Sequence, residues 1–149
     1  MRPVRILHIF GRMQRGGAEM RTLDIMRHID RQQFSLDFCA LTGLPGVLDD
    51  EIRSLGGEVH YCRLNGSFPW RFRNLLHQHR YDVVHSHVHY ASGFMLWLSR
   101  SAGVPGRIAH FRSTSDDHAT SLRRTLQREV MRRFIDRYAT HILSVSQGA

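Results

Sequence analysis

The chain has 149 residues, 42% of them hydrophobic, which predicts a single soluble domain large enough to bury its own core. All 21 basic residues are Arg, and the formal net charge of +8 calls for an anionic partner, such as nucleic acid, an anionic membrane face or a phosphorylated small molecule. No stretch approaches the ~20 apolar residues of a membrane span and the first residues are too short for a signal peptide, so any membrane contact is expected to be peripheral.

Short apolar strands alternate with amphipathic helices along almost the whole chain. The pattern predicts six strands, near Val4–Phe10, Phe34–Leu41, Glu58–Cys62, Asp82–His87, Arg107–Phe111 and Thr140–Val145. It predicts five helices between them, near Ala18–Ile29, Gly46–Leu55, Trp70–Arg80, Ala91–Ala102 and Ser121–Tyr138. Because each helix links two strands, the sequence predicts an α/β fold with a Rossmann-like doubly wound parallel sheet.

The first strand runs directly into a glycine-rich turn between Gly11 and Gly17 that opens the first helix. A strand, a glycine turn and a helix amino terminus together favour phosphate, because the backbone can approach a ligand closely and its free N–H groups face it. A P-loop would need Lys and then Ser or Thr after Gly16, where this chain has Gly17 and Ala18. Met13 also breaks the dinucleotide-binding fingerprint, so a phosphate-bearing ligand of another kind is expected.

Two features suggest where the protein works and how much of it is present. Cys39 and Cys62 each fall in a predicted strand, so we expect reduced, buried thiols and a cytoplasmic protein. The chain stops at residues 147–149, directly after the sixth strand, which is typical of a domain cut from a longer protein.

Polar residues collect where three predicted strands end. The first strand leads to the glycine turn, the fourth to His85, His87 and His89, and the fifth to the segment from His110 through Arg112 to residues 116 and 117. In doubly wound sheets the ligand lies at the carboxyl ends of the strands, where strand order reverses, commonly between the first and fourth strands. The sequence therefore predicts a single cleft lined by three loops.

The histidines after the fourth strand have the spacing of a metal site but lack its other ligands. His85, His87 and His89 would lie on one side if the strand continued, and three imidazoles at that spacing can bind zinc. We expect the strand to end before His89, and no Cys or carboxylate stands nearby in the sequence to complete a tetrahedral set. No metal is therefore predicted.

The last helix combines an apolar stripe with a strongly basic face. The stripe consists of Leu122, Leu126, Val130, Phe134 and Tyr138. The default prediction is that the stripe faces the core and that the arginines are solvated. A basic amphipathic helix can also lie on anionic lipid, and the segment Trp70–Arg73 pairs aromatic and basic residues in the same way.

Four segments in order resemble the amino-terminal half of family 4 glycosyltransferases. They are the strand Arg5–Phe10, the turn Arg15–Glu19, the segment Tyr81–His87 and the segment from Tyr138 to residue 146. The resemblance implies the two-domain GT-B architecture, with residues 1–149 as the acceptor-side domain and a second Rossmann-like domain, absent here, holding most of the nucleotide sugar. It also implies sugar transfer from a nucleotide diphosphate donor with retention of configuration, without a required metal or other cofactor.

The resemblance also implies roles for residues in the glycine turn and after the fourth strand. Gly16 and Gly17, flanked by Arg15, match the loop that lets the donor diphosphate approach the first helix. His87 is the best single candidate for the floor of the active site. His85, His89 and Arg12 are expected near the acceptor, which in this family is a saccharide or, in many members, lipid-linked.

After the fifth strand the chain departs from the family. Many relatives carry a Thr-x-His pattern there, whereas this chain has His110 at the Thr position and Arg112 at the His position. Arg112 can stabilise the leaving phosphate through its bidentate guanidinium, and His110 can share the task. Core packing of His110 and an ion pair of Arg112 with residue 116 or 117 are the alternatives.

Two other classes of function remain open at this stage. A free-standing module that binds a nucleotide or nucleic acid would suit the charge, although the sequence has no aromatic-studded sheet, helix-turn-helix or zinc finger and its arginines are dispersed. A Rossmann oxidoreductase is disfavoured by the broken glycine fingerprint. The expected function is thus that of a glycosyltransferase half making cell-surface saccharides or glycolipids, with no nucleic-acid partner and little turnover from these residues alone.

Overall fold

A computed structural model of the chain describes residues 1–112 and 121–145. The described residues form six strands: β1 (Val4–Phe10), β2 (Phe34–Ala40), β3 (Val59–Tyr61), β4 (Val83–Ser86), β5 (Gly106–Phe111) and β6 (His141–Ser144). The helices are α1 (Gly17–His28), α2 (Asp49–Ser54), α3 (Phe68–His79), α4 (Ser92–Ser101) and α5 (Leu122–Tyr138), and a 3-10 helix spans His89–Ala91. Among these residues no helix is both long and apolar enough to cross a membrane.

Each predicted element is present, with shifts at some ends. The predicted helix at Gly46–Leu55 is shorter, since α2 begins only at Asp49. A Cβ at Gly46 would overlap the backbone of Met13, and the Gly46 N–H donates to the Asp49 carboxylate, so this residue serves the turn before the helix. Helix α3 begins earlier than predicted, at Phe68, with a proline in its first turn.

The sheet is parallel throughout, with strand order β3-β2-β1-β4-β5-β6. The order reverses between β1 and β4, which confirms the predicted doubly wound topology and its switch point. The carboxyl ends of β1, β4 and β5 are therefore neighbours at one edge of the sheet.

Two apolar cores cover the two faces of the sheet. One joins Phe10 and Phe38 to Leu23 and Met26 of α1 and to Ile52 of α2. The other lies beneath α3 and α4 and contains both cysteines as free, buried thiols, together with the following side chains: Leu7, Ile9, Phe72, Leu76, Val84 and Leu96. Alternate residues of β1 enter opposite cores, as expected for a strand buried on both faces.

A buried carboxylate ties the first three strands to the segment before β4. Asp37 of β2 accepts hydrogen bonds from Arg5 Nη2 (3.0 Å), from the Tyr81 hydroxyl (2.8 Å) and from the backbone N–H of Glu58 (2.9 Å). Burial and the nearby Asp37 raise the pKa of Tyr81 above its ordinary value, so the phenol stays protonated and donates. This network satisfies a charge that would otherwise be costly to bury.

Helix α5 does not pack as the sequence predicts. Leu122, Leu126 and Val130 of the expected core stripe are exposed, and Ile135 is the buried residue of the helix. Phe134 does contact α4, with its ring 6.1 Å from that of Trp97. The inward face of α5 therefore differs from the most apolar stripe of its sequence.

Candidate functional site

The carboxyl end of β1 leads into the glycine turn and the amino terminus of α1. The backbone at Gly16 is extended (φ −91°, ψ 162°), and no side chain of the described residues caps the helix that begins at Gly17. Within residues 1–112 and 121–145, a methyl group added at Gly17 would meet no atom within 4 Å. This helix end is therefore accessible to a ligand, and its N–H groups and dipole favour an anion.

Glu19 folds back over the same helix end. A methyl group on Gly16 would overlap the Glu19 carboxylate, which therefore lies against the first turn of α1. The carboxylate also acts on Arg112, where it partly offsets the burial and the Arg21 charge that lower the pKa of the Arg112 guanidinium. Glu19 thus places a negative charge where the geometry favours an anion.

Four imidazoles from three strands meet beside this turn and form the histidine cluster, which consists of His8, His85, His87 and His110. His8 Nδ1 lies 3.1 Å from His87 Nε2, and His85 Nε2 lies 3.1 Å from His110 Nδ1. The rings of His85 and His87 are stacked with centroids 4.2 Å apart. Each hydrogen bond uses one nitrogen of each ring, which restricts the tautomers and orientations of both partners.

Strand register explains why these rings share one face. His8 of β1 is paired directly with His85 of β4, and His87 follows two residues later, so all three point to the α1 side of the sheet. Ser86 is paired with Ala109, which places His110 beside His87 on that side. The ring of His87 also stacks on Phe10, with centroids 4.3 Å apart and planes within 4°.

Burial keeps the histidine cluster uncharged. It lowers the pKa of His85 to about 4, with His110 and Arg112 adding to the shift. It also lowers the pKa of His8 and His87 far below the ordinary value, and lowers that of His110. Neutral imidazoles can accept or donate hydrogen bonds at neutral pH without adding to the positive charge of Arg112.

The cluster also has the geometry of a candidate cation site. One ligand nitrogen from each of His8, His85 and His87 lies within 4.8 Å of the other two, and the Nδ1 of His87 is buried with no hydrogen-bond partner among the described residues. Neutral imidazoles suit zinc. The neighbouring Arg112 charge opposes a cation there, and the absence of a required metal stays a prediction.

The remaining predicted site residues lie outside the histidine cluster. The strand ends at Ser86, and His89 lies in the 3-10 helix with φ of 49°, exposed, with its ring 6.4 Å from that of Phe111. This geometry removes His89 from the expected row with His85 and His87. Arg12 and Arg15 are exposed on the glycine turn, and the Arg12 Nε donates to the Pro45 carbonyl at 2.6 Å.

Arg112 lies at the edge of the cluster, just beyond β5. Its guanidinium influences the pKa of His8, His85, His87 and His110. Its Nε is buried without a hydrogen-bond partner in the part of the chain that the structure describes. The predicted alternative, an ion pair with residue 116 or 117, lies outside the described residues.

The sequence prediction missed two members of the site, His8 and Glu19. His8 occupies an inward position of β1 between Ile6 and Phe10, where a polar side chain in an otherwise apolar strand is the available signal. Glu19 is at the third position of α1, where its residue type predicts either a role in orienting the glycine turn or a favourable interaction with the helix dipole. Its contact with Gly16 depends on the side-chain conformation, which sequence spacing does not specify.

Comparison with known proteins adds to this geometry. Residues 16–149 match the family described as Glycosyl transferase 4-like domain. The chain is 42% identical over 148 residues to the capsular polysaccharide biosynthesis glycosyltransferase CapH of Staphylococcus aureus, covering 98% of this chain and 41% of CapH. It is 32% identical over 151 residues to the glycosyltransferase homologue EpsF of Bacillus subtilis (strain 168), covering 97% of this chain and 39% of EpsF.

A solved structure shares the fold. The crystal structure of Anabaena HepE in complex with UDP superposes with a TM-score of 0.65 at 17% identity, covering 98% of this chain and 38% of HepE. At this identity the similarity shows the fold alone. The chain spans about two fifths of the length of the curated relatives it matches.

Proposed function

We propose that this chain, which belongs to the Glycosyl transferase 4-like domain family, is the acceptor-side half of a retaining glycosyltransferase. The enzyme would move a sugar from a nucleotide diphosphate donor to a saccharide or lipid-linked acceptor in cell-surface polysaccharide or glycolipid synthesis. The capsular polysaccharide role in the name of CapH and the UDP bound to HepE support this class of acceptor and donor. The parallel six-stranded sheet has the topology of one half of a GT-B enzyme.

One observation carries the proposal most strongly. The open amino terminus of α1 and the Arg112 guanidinium lie at the same edge of the sheet, next to four neutral imidazoles, where strand order reverses. A diphosphate needs positive charge and N–H donors, whereas a sugar is uncharged and needs hydrogen-bonding groups for its hydroxyls. This edge provides both within one site.

The residues suggest a division of roles in the reaction. Arg112, Arg15 and the α1 amino terminus would stabilise the negative charge that develops on the diphosphate as its bond to the sugar breaks. In a front-face retaining reaction, the acceptor oxygen bonds to the anomeric carbon on the side that the diphosphate leaves. The acceptor proton then passes to a leaving phosphate oxygen, so no protein base is required.

The histidine cluster would hold the acceptor side of the site. The Nδ1 of His110 is occupied by His85, so its Nε2 is the ring nitrogen available to a substrate hydroxyl. His87 would act chiefly through the rings stacked on it, since it is almost fully buried. Neutral rings suit a sugar hydroxyl, because they impose no charge on a neutral group.

We also propose that the protein works in the cytoplasm, at the inner face of the membrane. The free thiols of Cys39 and Cys62 and the arginine-rich helix α5 support this location.

A binding experiment tests the donor site. The protein is titrated with a nucleoside diphosphate, with the matching nucleoside as the reference ligand, by isothermal calorimetry. Arg112→Gln is expected to weaken diphosphate binding about tenfold, as loss of one charge-assisted contact would. Arg31→Gln, which removes an exposed charge before β2, is the matched control and should change binding less than about twofold.

Two outcomes would count against the proposal. Equal affinity for nucleoside and nucleoside diphosphate would show that the helix end does not bind phosphate. Binding of a nucleoside diphosphate without sugar transfer to any acceptor by the enzyme as its gene encodes it would favour a free-standing nucleotide-binding module.

A further inference from the structure

A cavity of about 500 Å³ opens between α4 and α5, on the face of the sheet opposite the histidine cluster. Its walls are largely apolar and include Leu64, Ala91, Phe94, Met95 and Met131. The volume is in the range of small-molecule sites, which are usually apolar with a few polar groups. The apolar walls indicate a hydrocarbon portion in the ligand.

The polar groups of this cavity are cationic. Arg124, Gln127 and Arg128 of α5 line it, and the Arg128 guanidinium lies 5.9 Å from the centre of the Tyr90 ring. These arginines share a helix face with Met131 and with the buried Ile135, at helical spacing. An apolar wall bordered by guanidinium groups matches an amphiphile with an anionic head.

The placement of these arginines runs against the pattern of the helix. Leu122 and Leu126 are exposed, while Arg124 and Arg128 line the cavity, so α5 turns cationic side chains toward α4. The helices touch at Gly93, where a Cβ would overlap the Met131 carbonyl. The cavity opens beside that contact, toward the amino-terminal half of α5.

The cavity reaches the edge of the sheet that carries the proposed active site. Its residue Tyr90 lies 6.1 Å from Phe111, measured between ring centres, and Phe111 directly follows His110 in β5. His110 faces α1, whereas Phe111 packs with the core beneath α3 and α4. The Tyr90–Phe111 contact therefore links the cavity to the end of β5 that carries His110.

We propose that this cavity binds the hydrocarbon chain of an anionic, phosphate-bearing lipid as a single molecule, with its phosphate on Arg124 and Arg128. This proposal deepens the proposed function, on which it rests for the identity of the lipid as the acceptor. The hydrocarbon chain of the lipid would lie between α4 and α5. The part of the lipid beyond the phosphate would extend past the Tyr90–Phe111 pair toward His110. The cavity would then select acceptors by their hydrocarbon portion.

The test uses decyl phosphate below its critical micelle concentration, with decyl maltoside and inorganic phosphate as reference ligands. Decyl phosphate should bind at least about tenfold more tightly than either reference, because it alone combines chain and charge. Arg124→Glu should weaken decyl phosphate binding about tenfold or more, because it reverses the charge at the cavity. Arg123→Glu makes the same change at the exposed adjacent residue outside the cavity and should change affinity less than about threefold.

A second variant tests the cavity without changing charge. Gln127→Trp places a large side chain at the exposed cavity rim and should also weaken decyl phosphate binding about tenfold by filling the space. Far-ultraviolet circular dichroism must match the parent protein for each variant. Nucleoside diphosphate affinity, measured on the same samples, should be unchanged.

Several results would overturn the cavity proposal. Equal weakening by Arg124→Glu and Arg123→Glu would indicate diffuse electrostatic attraction. Adsorption to anionic phospholipid vesicles without binding of decyl phosphate monomers would assign the arginines to a membrane surface instead. Because donor binding is measured separately, a parent protein that binds nucleoside diphosphate but does not bind decyl phosphate would reject the cavity proposal while leaving the proposed function in place.

Discussion

Gly17, the first residue of α1, is not explained by the demands of the fold, because a Cβ there would meet no atom of the described residues within 4 Å. Gly46, by contrast, is closed in by the Met13 backbone. At position 16 a Cβ would overlap the Glu19 carboxylate, so a contact within the fold favours Gly there. At position 17, close approach of a ligand is the physical reason that remains for a small residue.

We expect Gly17→Ala to weaken nucleoside diphosphate binding while leaving stability unchanged or slightly raised. The methyl group would lie where the phosphate is expected, and Ala favours a helix over Gly by up to about 1 kcal/mol. Calorimetric titration and thermal unfolding measure the two effects. Gly66→Ala, another position with open space around its Cβ, is the control. Unchanged diphosphate affinity in Gly17→Ala would contradict the loop assignment.

Glu19→Gln is expected to strengthen nucleoside diphosphate binding severalfold. The substitution removes a negative charge from the helix amino terminus and from the vicinity of Arg112, an effect of about 1 kcal/mol at such a position. Asp24→Asn removes a carboxylate from the same helix, where it pairs with Arg27, and should leave binding unchanged. Weaker binding by Glu19→Gln would mean that the carboxylate contacts the donor itself.

At the scale of the element, strand register creates the histidine cluster from residues far apart in the chain. His8 and His85 are 77 positions apart in the sequence yet are direct partners across β1 and β4. Helix α5 shows the opposite case, because its apolar stripe is regular but its inward face is decided by packing against α4. Sequence periodicity therefore predicts the presence of a helix or strand more reliably than it predicts which face of that element is buried.

The histidine cluster makes stability depend on pH. A histidine whose pKa is lowered by folding binds its proton more readily in the unfolded chain, so stability is present above pH ~6.5 and declines as the pH falls toward the folded pKa. For His85 that interval runs down to about pH 4. We therefore expect the thermal midpoint to fall between pH 7 and pH 4.

Two histidine variants test whether the histidine cluster causes this fall of the thermal midpoint with pH. His85→Gln should reduce the fall of the thermal midpoint between pH 7 and pH 4, because one titrating group is removed. His28→Gln replaces an exposed histidine of α1 and should retain the full slope. The explanation fails if the two variants show the same pH profile.

The Asp37 network is a second element-scale contribution to stability. Asp37→Asn leaves Arg5 and Tyr81 with a weaker partner, and we expect a loss of about 3 kcal/mol in the free energy of unfolding, as for other broken buried pairs. Asp50→Asn disrupts an exposed pair with Arg53 and should cost much less, because solvent screens such a pair. Urea denaturation measures the free energy of unfolding of both variants. Equal losses would show that the buried Asp37 carboxylate contributes no more to stability than an exposed one.

At the scale of the whole molecule, positive charge surrounds the edge of the sheet where a diphosphate is proposed to bind. Arg112 and the α1 amino terminus lie there, and Arg15 is on the adjoining turn. These groups can neutralise a diphosphate in the way that a divalent cation does in other enzymes. The proposal therefore includes donor binding that needs no metal.

We expect nucleoside diphosphate affinity to change less than about twofold when a chelator replaces Mg²⁺ in the buffer, since guanidinium groups would carry the charge of the site. Calorimetric titration in both buffers measures it. Because the His8, His85 and His87 nitrogens could bind zinc, the affinity should also be measured in a buffer that contains Zn²⁺. A loss of tenfold or more with the chelator, restored by Mg²⁺ or Zn²⁺, would show that the site requires a cation.

The sequence by itself determined the class of fold, the six strands and the edge of the sheet at which polar residues gather. Those features follow from the alternation of apolar segments and from the glycine turn after β1, which are local properties of the chain. The resemblance in four ordered segments gave the family, confirmed by the match over residues 16–149.

Only the tertiary structure decided which side chains meet. His8 lies in the site because β1 and β4 are neighbours in the sheet. His89 lies outside the histidine cluster because the backbone turns at that residue. Arg124 and Arg128 face the cavity beside α4 because of the way α5 packs. Each outcome depends on contacts between segments distant in sequence. Local periodicity identifies the apolar face of a segment, but it does not identify the surface against which that face packs.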